Sequence, residues 1–218
     1  MLKLISSKPS PYARKVRIAL AEKGIPFELI SEVPWESTTQ TPRYNPLEKL
    51  PVLIFPDGKA IYESHYILEY IEAKYPEKSP LLPKGPASID AALFAKQVEV
   101  VADGICDALV LTFFEAQREH DKRSELWMAR QRRKIDGGLE ALADWLTESG
   151  DQQFLVNDTF SNADIAAGSC LGYMKVRFPE HPWRTAYPHL DRYSERLEER
   201  QSFRDTVPRP QTFSERII

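Results

Sequence analysis

Residues 75–88, Tyr-Pro-Glu-Lys-Ser-Pro-Leu-Leu-Pro-Lys-Gly-Pro-Ala-Ser, hold four prolines and one glycine, a composition through which neither helix nor strand can run. The two parts of the 218-residue chain on either side obey different periodicities. Before the break, short apolar runs alternate with helical ones; after it, the apolar spacing stays near 3.6 residues throughout. The expected organisation is two domains, residues 1–77 and 88–218, joined by a linker over 78–87.

In the first part, Leu2, Leu4 and Ile5 form a short strand that leads to Ser10-Pro11. A helix carrying Val16, Ile18, Ala19 and Leu20 follows at once and stops at Gly24, a good residue for the position just past a helix end. Pro11 suits the first helical turn, where its missing N–H costs nothing, which makes Ser10 the natural N-cap. One hydroxyl and several unpaired backbone N–H groups thus gather at the positive end of a helix, a setting that suits an anion. Taken alone, such a Ser-Pro step more often only caps. Residues 25–30 read as a second strand, and 49–55, the turn Pro56-Asp57-Gly58 and 59–62 as strand, turn, strand. Glu63-Ser64 then caps a helix with Ile67, Leu68 and Ile71 on its apolar face. The order β-α-β, loop, β-β-α predicts a small mixed sheet with helices packed on it.

The second part reads as all-helical. One long helix is expected over about 87–118, with Leu93, Phe94, Val98, Val101, Ile105, Leu109 and Phe113 inward. A second covers about 122–149, with Leu126, Ala129, Ile135, Leu139, Leu142 and Leu146 inward. Ser161-Asn-Ala-Asp164 is a capping-box pattern, and the small apolar residues after it predict a central buried helix. Asp103 and Asp107 lie one turn apart on the first long helix, so one of them faces either a cleft or a partner subunit.

Several functions are disfavoured. A net charge of −3 favours neither nucleic acid nor an anionic membrane, and no apolar run approaches the roughly 20 residues that span a bilayer. The first residues carry strand periodicity and lack the pattern of a signal peptide, so cytoplasm is the expected compartment. Cys106 and Cys170 sit in apolar helical stretches, as buried unpaired thiols do. His65, His120, His181 and His189 show no metal-ligand spacing, and Arg130-Gln-Arg-Arg-Lys134 reads as a solvated helix face. No phosphate-cradling glycine loop and no G-x-S-x-G elbow occurs.

Four segments together resemble a known family. Ser-Pro-Tyr-Ala-Arg-Lys-Val at 10–16, Glu-Lys-Gly-Ile-Pro-Phe-Glu at 22–28, Asn-Pro-Leu-Glu-Lys-Leu-Pro-Val-Leu at 45–53 and Tyr-Glu-Ser-His-Tyr-Ile-Leu-Glu-Tyr-Ile at 62–71 look like the N-terminal domain of cytosolic glutathione S-transferases. Phe160-Ser-Asn-Ala-Asp-Ile-Ala-Ala167 and its helical surroundings resemble that family's C-terminal domain, with bacterial members carrying a Ser-Pro-Phe/Tyr step as the nearest match. The resemblance implies a thioredoxin-like domain followed by an all-α domain, a homodimer, and transfer of glutathione to small hydrophobic electrophiles, as in detoxification. It implies no metal.

The chemistry needed is thiol ionisation. A free thiol of pKa about 8.5 is only a few per cent thiolate at neutral pH. Lowering that value by about two units takes roughly 2.7 kcal/mol. A hydrogen bond to a charged acceptor supplies about 1.5–3 kcal/mol and a helix N-terminus about 0.3–1, so one hydroxyl at Ser10 is sufficient. Ser6, Ser7 and Tyr12 offer hydroxyls too, but Ser10 alone occupies the cap before Pro11. Ser, where other members carry Cys, argues against mixed-disulfide redox chemistry. The resemblance further implies a cis bond at Leu50-Pro51 that frees the Leu50 backbone to pair with the cysteinyl part of glutathione. Glu63 and Ser64 would hold the γ-glutamyl end, with Trp35 and Lys49 near the glycyl end. Tyr12, Ile105, Leu109, Phe113 and Phe114 are the candidates for the electrophile pocket, each also readable as core. Two rival readings remain: a non-catalytic module of the same architecture, such as the polymerase-binding stringent-starvation regulators, and a glutathione-dependent reductase or peroxidase. The capping box, by contrast, reads as a folding element only, whose loss costs about 1 kcal/mol or more.

Overall fold

A computed structural model describes residues 1–85, 88–150 and 152–212. Strand β1 (Leu2–Ser6), helix α1 (Pro11–Glu22) and strand β2 (Phe27–Ser31) make a parallel crossover unit. Strands β3 (Val52–Ile54) and β4 (Ala60–Tyr62) complete a four-stranded mixed sheet of order β2-β1-β3-β4, with Leu4 opposite Leu53 and Leu53 opposite Ile61. Helix α2 (Ser64–Lys74) follows. The helical half comprises α3 (Ile89–Gln117), α4 (Glu125–Glu148), α5 (Asn162–Arg177), α6 (Trp183–Ala186), α7 (Pro188–Glu198) and α8 (Gln201–Arg204). The α/β and all-α halves are those expected. Pro86 and Ala87, at the end of the expected linker, lie outside the described residues.

Element ends follow backbone chemistry. Gly24, at φ +60°, closes α1 with Ile25 N–H donating to the Leu20 carbonyl at 2.8 Å. Ile25 is thereby used by the cap and Pro26 has no N–H, so β2 starts at Phe27 and not at 25. The Leu50-Pro51 bond is cis, and β3 starts only after it, at Val52. Two residues expected inward are exposed: Leu93 on α3 and, more fully, Leu126 in the first turn of α4.

Helix α5 is the hub of the second half. Every residue from Asn162 to Met174 is buried, between α3 on one side and α1 on the other. The capping box starts it: Asp164 accepts from the Ser161 N–H at 2.9 Å and the Ser161 hydroxyl at 3.2 Å. The same carboxylate also takes the Leu155 N–H at 3.1 Å and the Tyr193 hydroxyl at 2.7 Å, tying the preceding loop and α7 to the start of α5. Asp164→Ala would leave several buried donors without an acceptor, each costing about 1–3 kcal/mol. Urea unfolding of that variant is expected to show a loss of about 2–4 kcal/mol, and a loss under about 0.5 kcal/mol would contradict this account of the box.

Candidate functional site

A cleft of about 510 Å³ opens between the two halves. Strand β1 delivers the chain to it and α1 begins at its edge. The Ser10 Oγ accepts the Ala13 N–H at 3.1 Å, so the hydroxyl caps α1 and its own proton stays available to an acceptor in the cleft. Ser7 lines the cleft as well, while Ser6 is buried and its hydroxyl turns to the Ser7 carbonyl at 3.4 Å.

Tyr12 is differently placed. Its hydroxyl donates to Asp107 Oδ1 at 2.5 Å. Burial, with the Cys106 thiol and the Asp107 carboxylate beside it, holds the phenol well above its ordinary range. The Tyr12 proton is therefore already engaged, and Asp107 is the member of the Asp103/Asp107 pair that faces the cleft.

The loop before β3 forms a second wall. Asn45 is buried; its Nδ2 donates to the Lys49 carbonyl at 2.6 Å and its Oδ1 accepts the Leu47 N–H at 2.9 Å. This side chain shapes the turn that carries Lys49, Leu50 and Pro51 along the cleft. Among the described residues neither the N–H nor the C=O of Leu50 is paired within the chain. Ser64, the first residue of α2, and Glu63 before it also line the cleft. Glu63 holds φ +74° and makes no side-chain cap, contrary to the helix-capping role expected; instead the Ser64 hydroxyl donates to Glu63 Oε1 at 3.3 Å. A left-handed backbone at a non-glycine residue costs of order 1–3 kcal/mol and is retained where a site needs it.

Helix α3 supplies the far wall through Asp107, Val110, Leu111 and Phe114, at the i, i+3, i+4, i+7 spacing of one face, with Phe113 beside them. Ile105 and Leu109 do not belong to it. Both are fully buried on the opposite face, where a Cβ on Gly138 of α4 would stand 2.4 Å from Ile105 and where Leu109 borders a separate cavity of about 430 Å³ with Met128 and Ile135. The helix is apolar nearly all round, so its sequence did not reveal which face meets α4. Trp35, expected by the glycyl end of a bound peptide, packs edge-on against Phe114 at 4.5 Å and so walls the aromatic side. From the tail end come Tyr173 and Arg177 of α5 and Gln211, none of them singled out from the sequence. Arg177 in a last helical turn reads as an ordinary complement to the helix dipole, and only the fold turns it to the cleft.

Behind the cleft, a buried ionic cluster joins α1, α2 and α3. Lys15 Nζ meets Asp103 Oδ2 at 2.7 Å and Glu99 Oε1 at 3.1 Å, and His65 Nδ1 meets Glu99 Oε2 at 3.1 Å. Burial alone would drive Glu99 up, but the His65 bond and the Lys15 charge outweigh it and hold the carboxyl below its usual range. Lys15, likewise, is held above its ordinary value by its two carboxylates against burial. No group of metal-ligating side chains is found among the described residues, and no described helix is long and apolar enough to cross a membrane.

Comparison with known proteins agrees with this geometry. The family model "Glutathione S-transferase, N-terminal domain" matches residues 9–74, and "Glutathione S-transferase, C-terminal domain" matches residues 125–196. The GST-like protein YibF of Escherichia coli, described as uncharacterized, is 36% identical over 207 residues, which are 95% of this chain and 98% of that protein. The chain belongs to the glutathione S-transferase family. A glutathione S-transferase from Methylobacterium radiotolerans, solved in complex with glutathione sulfonate, is 57% identical with a TM-score of 0.93, covering 100% of this chain and 99% of that one. Another from Methylobacillus flagellatus, solved with glutathione bound, is 36% identical with a TM-score of 0.87 over 95% and 100% of the two chains. In this transferase-family chain the cleft residues Ser10, Tyr12, Trp35, Lys49, Leu50, Pro51, Glu63, Ser64 and Phe113 are gathered from segments far apart in sequence.

The ionic cluster next to Ser64 carries a pH signature. His65 is held above the ordinary imidazole value of about 6.5, chiefly by its bond to Glu99 and against burial. A raised value in the folded state stabilises the protein in full below about pH 6.5, and that contribution fades as pH climbs through the folded value. The stability difference between wild type and His65→Gln in urea unfolding is therefore expected to be larger at about pH 6 than at about pH 9. An equal difference at both would contradict the charged pairing.

Proposed function

We propose that this chain binds glutathione in the cleft and transfers it to small hydrophobic electrophiles, with Ser10 stabilising the thiolate. The observation that carries the reading is the Ser10 hydroxyl: it accepts from Ala13 N–H, keeps its own proton to give, and stands at the positive end of α1 inside the cleft. None of the described hydrogen bonds joins Ser10 to a histidine or carboxylate, so it acts as a donor to sulfur and not as a nucleophile. The unpaired Leu50 N–H and C=O suit the cysteinyl backbone, in a strand-like pairing. Ser64 at the start of α2 suits the α-carboxylate, Glu63 the amine, and Lys49 the glycyl carboxylate.

The thiol loses its proton to solvent. The thiolate then attacks an electrophilic carbon, the C–S bond forms, and the leaving group departs with its electron pair. Cys106 and Cys170 are buried and line no part of the cleft, which favours transfer over thiol-disulfide chemistry. The reading includes a cytoplasmic setting, the domain division at 78–87, and a place among the members with a Ser-Pro-Tyr step. It also includes a homodimer, supported by a stripe of exposed Ile89, Leu93 and Val100 on α3. Exposed Tyr66 adds to it on α2, which lies alongside α3 through the His65–Glu99 pair.

Calorimetric titration of glutathione tests the core of the proposal. Ser64→Ala is expected to weaken binding about tenfold or more, as loss of a hydrogen bond to a charged group does. Ser10→Ala is expected to keep most of the affinity and lower the conjugation rate roughly a hundredfold, from about 2.7 kcal/mol of lost thiolate stabilisation. Absence of glutathione binding by wild type would overturn the reading in favour of an interaction module. Light scattering should separately give twice the chain mass for wild type, and a Leu93→Glu, Val100→Glu double variant should run as a monomer; a monomeric wild type would remove the dimer.

A further inference from the structure

We propose that the electrophile side of the cleft recognises an aryl carboxylate, with the Arg177 guanidinium as the group that reads the anion. This deepens the transferase reading above and rests on it. Arg177 ends α5 and lies over the Phe113 ring, its guanidinium carbon 4.6 Å from the ring centre. Its Nε is buried without a hydrogen-bond partner, and its only described bond is a long one, Nη2 to the Gln211 carbonyl at 3.4 Å. No carboxylate stands within 4.0 Å of it among the described residues. Three other arginines packed on this half do have carboxylates: Arg14 is held by Glu198 at 2.7 Å, Arg200 by Glu22 at 2.7 Å and Arg184 by Asp191 at 2.9 Å. A half-buried guanidinium with a free Nε–H and no counter-ion is an acceptor site for a planar anion, because its donors form a fork that a carboxylate fits.

A second donor lies one turn back on the same face. Tyr173 lines the cleft at the i−4 position, and its hydroxyl makes no hydrogen bond among the described residues. Burial keeps that phenol protonated. The remaining walls are aromatic: Phe113 and Phe114 meet edge to face at 5.3 Å, and Trp35 closes on Phe114. Flat apolar walls with a fork of donors at one end select an aromatic ring that bears a carboxylate. Asp107 is the opposing charge on the α3 wall. It sits six residues from Phe113, about 9 Å along the helix, with one oxygen occupied by Tyr12, so it bears on the thiol end and not on the anion end.

The probe pair is 4-chloro-3,5-dinitrobenzoate and its methyl ester, which share the reacting carbon. In both, the thiolate forms a C–S bond at that carbon and chloride leaves with the C–Cl electron pair. With each rate divided by the uncatalysed reaction with glutathione, wild type is expected to favour the carboxylate by about tenfold in kcat/KM. Arg177→Met, which keeps the apolar stem over Phe113, should lower kcat/KM for the carboxylate about tenfold more than for the ester and so abolish the preference, and Arg177→Lys should retain part of it. Equal turnover of the two by wild type, or an equal loss of both in Arg177→Met, would overturn the inference and leave the transferase reading standing. Calorimetry with the two corresponding S-aryl glutathione conjugates gives the same comparison without turnover, an equal affinity of wild type for both again overturning the inference. Failure of glutathione itself to bind would overturn both readings together.

Discussion

Two adjacent cations on α1 set the position of everything around the cleft. Arg14 and Lys15 are each 1% exposed, an arrangement that a 12-residue helix on the surface of a sheet would not tolerate by itself. Each is buried only because the helical half supplies its counter-charges. Arg14 reaches Glu198 with two bonds of 2.9 and 2.7 Å and the Phe203 carbonyl at 3.2 Å, whereas Lys15 turns to Glu99 and Asp103 on α3. Such buried pairs add little net stability, but removing one partner costs about 3–5 kcal/mol, so they act as a register pin. The pin is directional: two neighbouring side chains leave α1 toward different helices, which fixes both the tilt of α1 and its depth against the helical half.

That register is what gives the Ser10 hydroxyl a site at all. A capped helix start is common, and on a free surface its field is screened by water. Here the start of α1 is held against the Asp107–Phe114 face of α3, so that the polar end of one helix and the apolar flank of another share one cavity. Tyr12 completes the contact by spending its proton on Asp107. The same bond engages the Tyr12 proton, whereas the Ser10 hydroxyl accepts from Ala13 N–H and keeps its own.

The sequence was legible where local rules are strong. Ser10-Pro11, Gly24, the turn at Pro56–Gly58 and the Ser161–Asp164 box each specify a backbone event within four residues, and the structure has each of them. It was illegible where phase around a helix decides. Ile105 and Leu109 differ from Val110 and Phe114 only in which side of α3 they occupy, and an apolar stripe on every side gives no phase to read. Arg177 and Tyr173 were hidden for a related reason: nothing in a buried helix of small residues indicates that its last two turns emerge into a cleft.

Glycine usage in α5 shows how far the α1 pin reaches. Small residues predict a buried helix, yet alanine would meet that need with about 1 kcal/mol better helix propensity at each glycine. Gly172 has a specific cause: a Cβ there would stand 2.1 Å from Arg14 Nη1 and 3.2 Å from Glu198 Oε1. Arg14 crosses α5 at Gly172 to reach its carboxylate, and the missing methyl is the opening through which it passes. Gly168, one turn earlier, makes the same concession to Phe203, whose carbonyl Arg14 also binds. The propensity lost in α5 is thus offset on α1, where it lets a buried cation find its partner and so holds the start of α1 at the edge of the cleft.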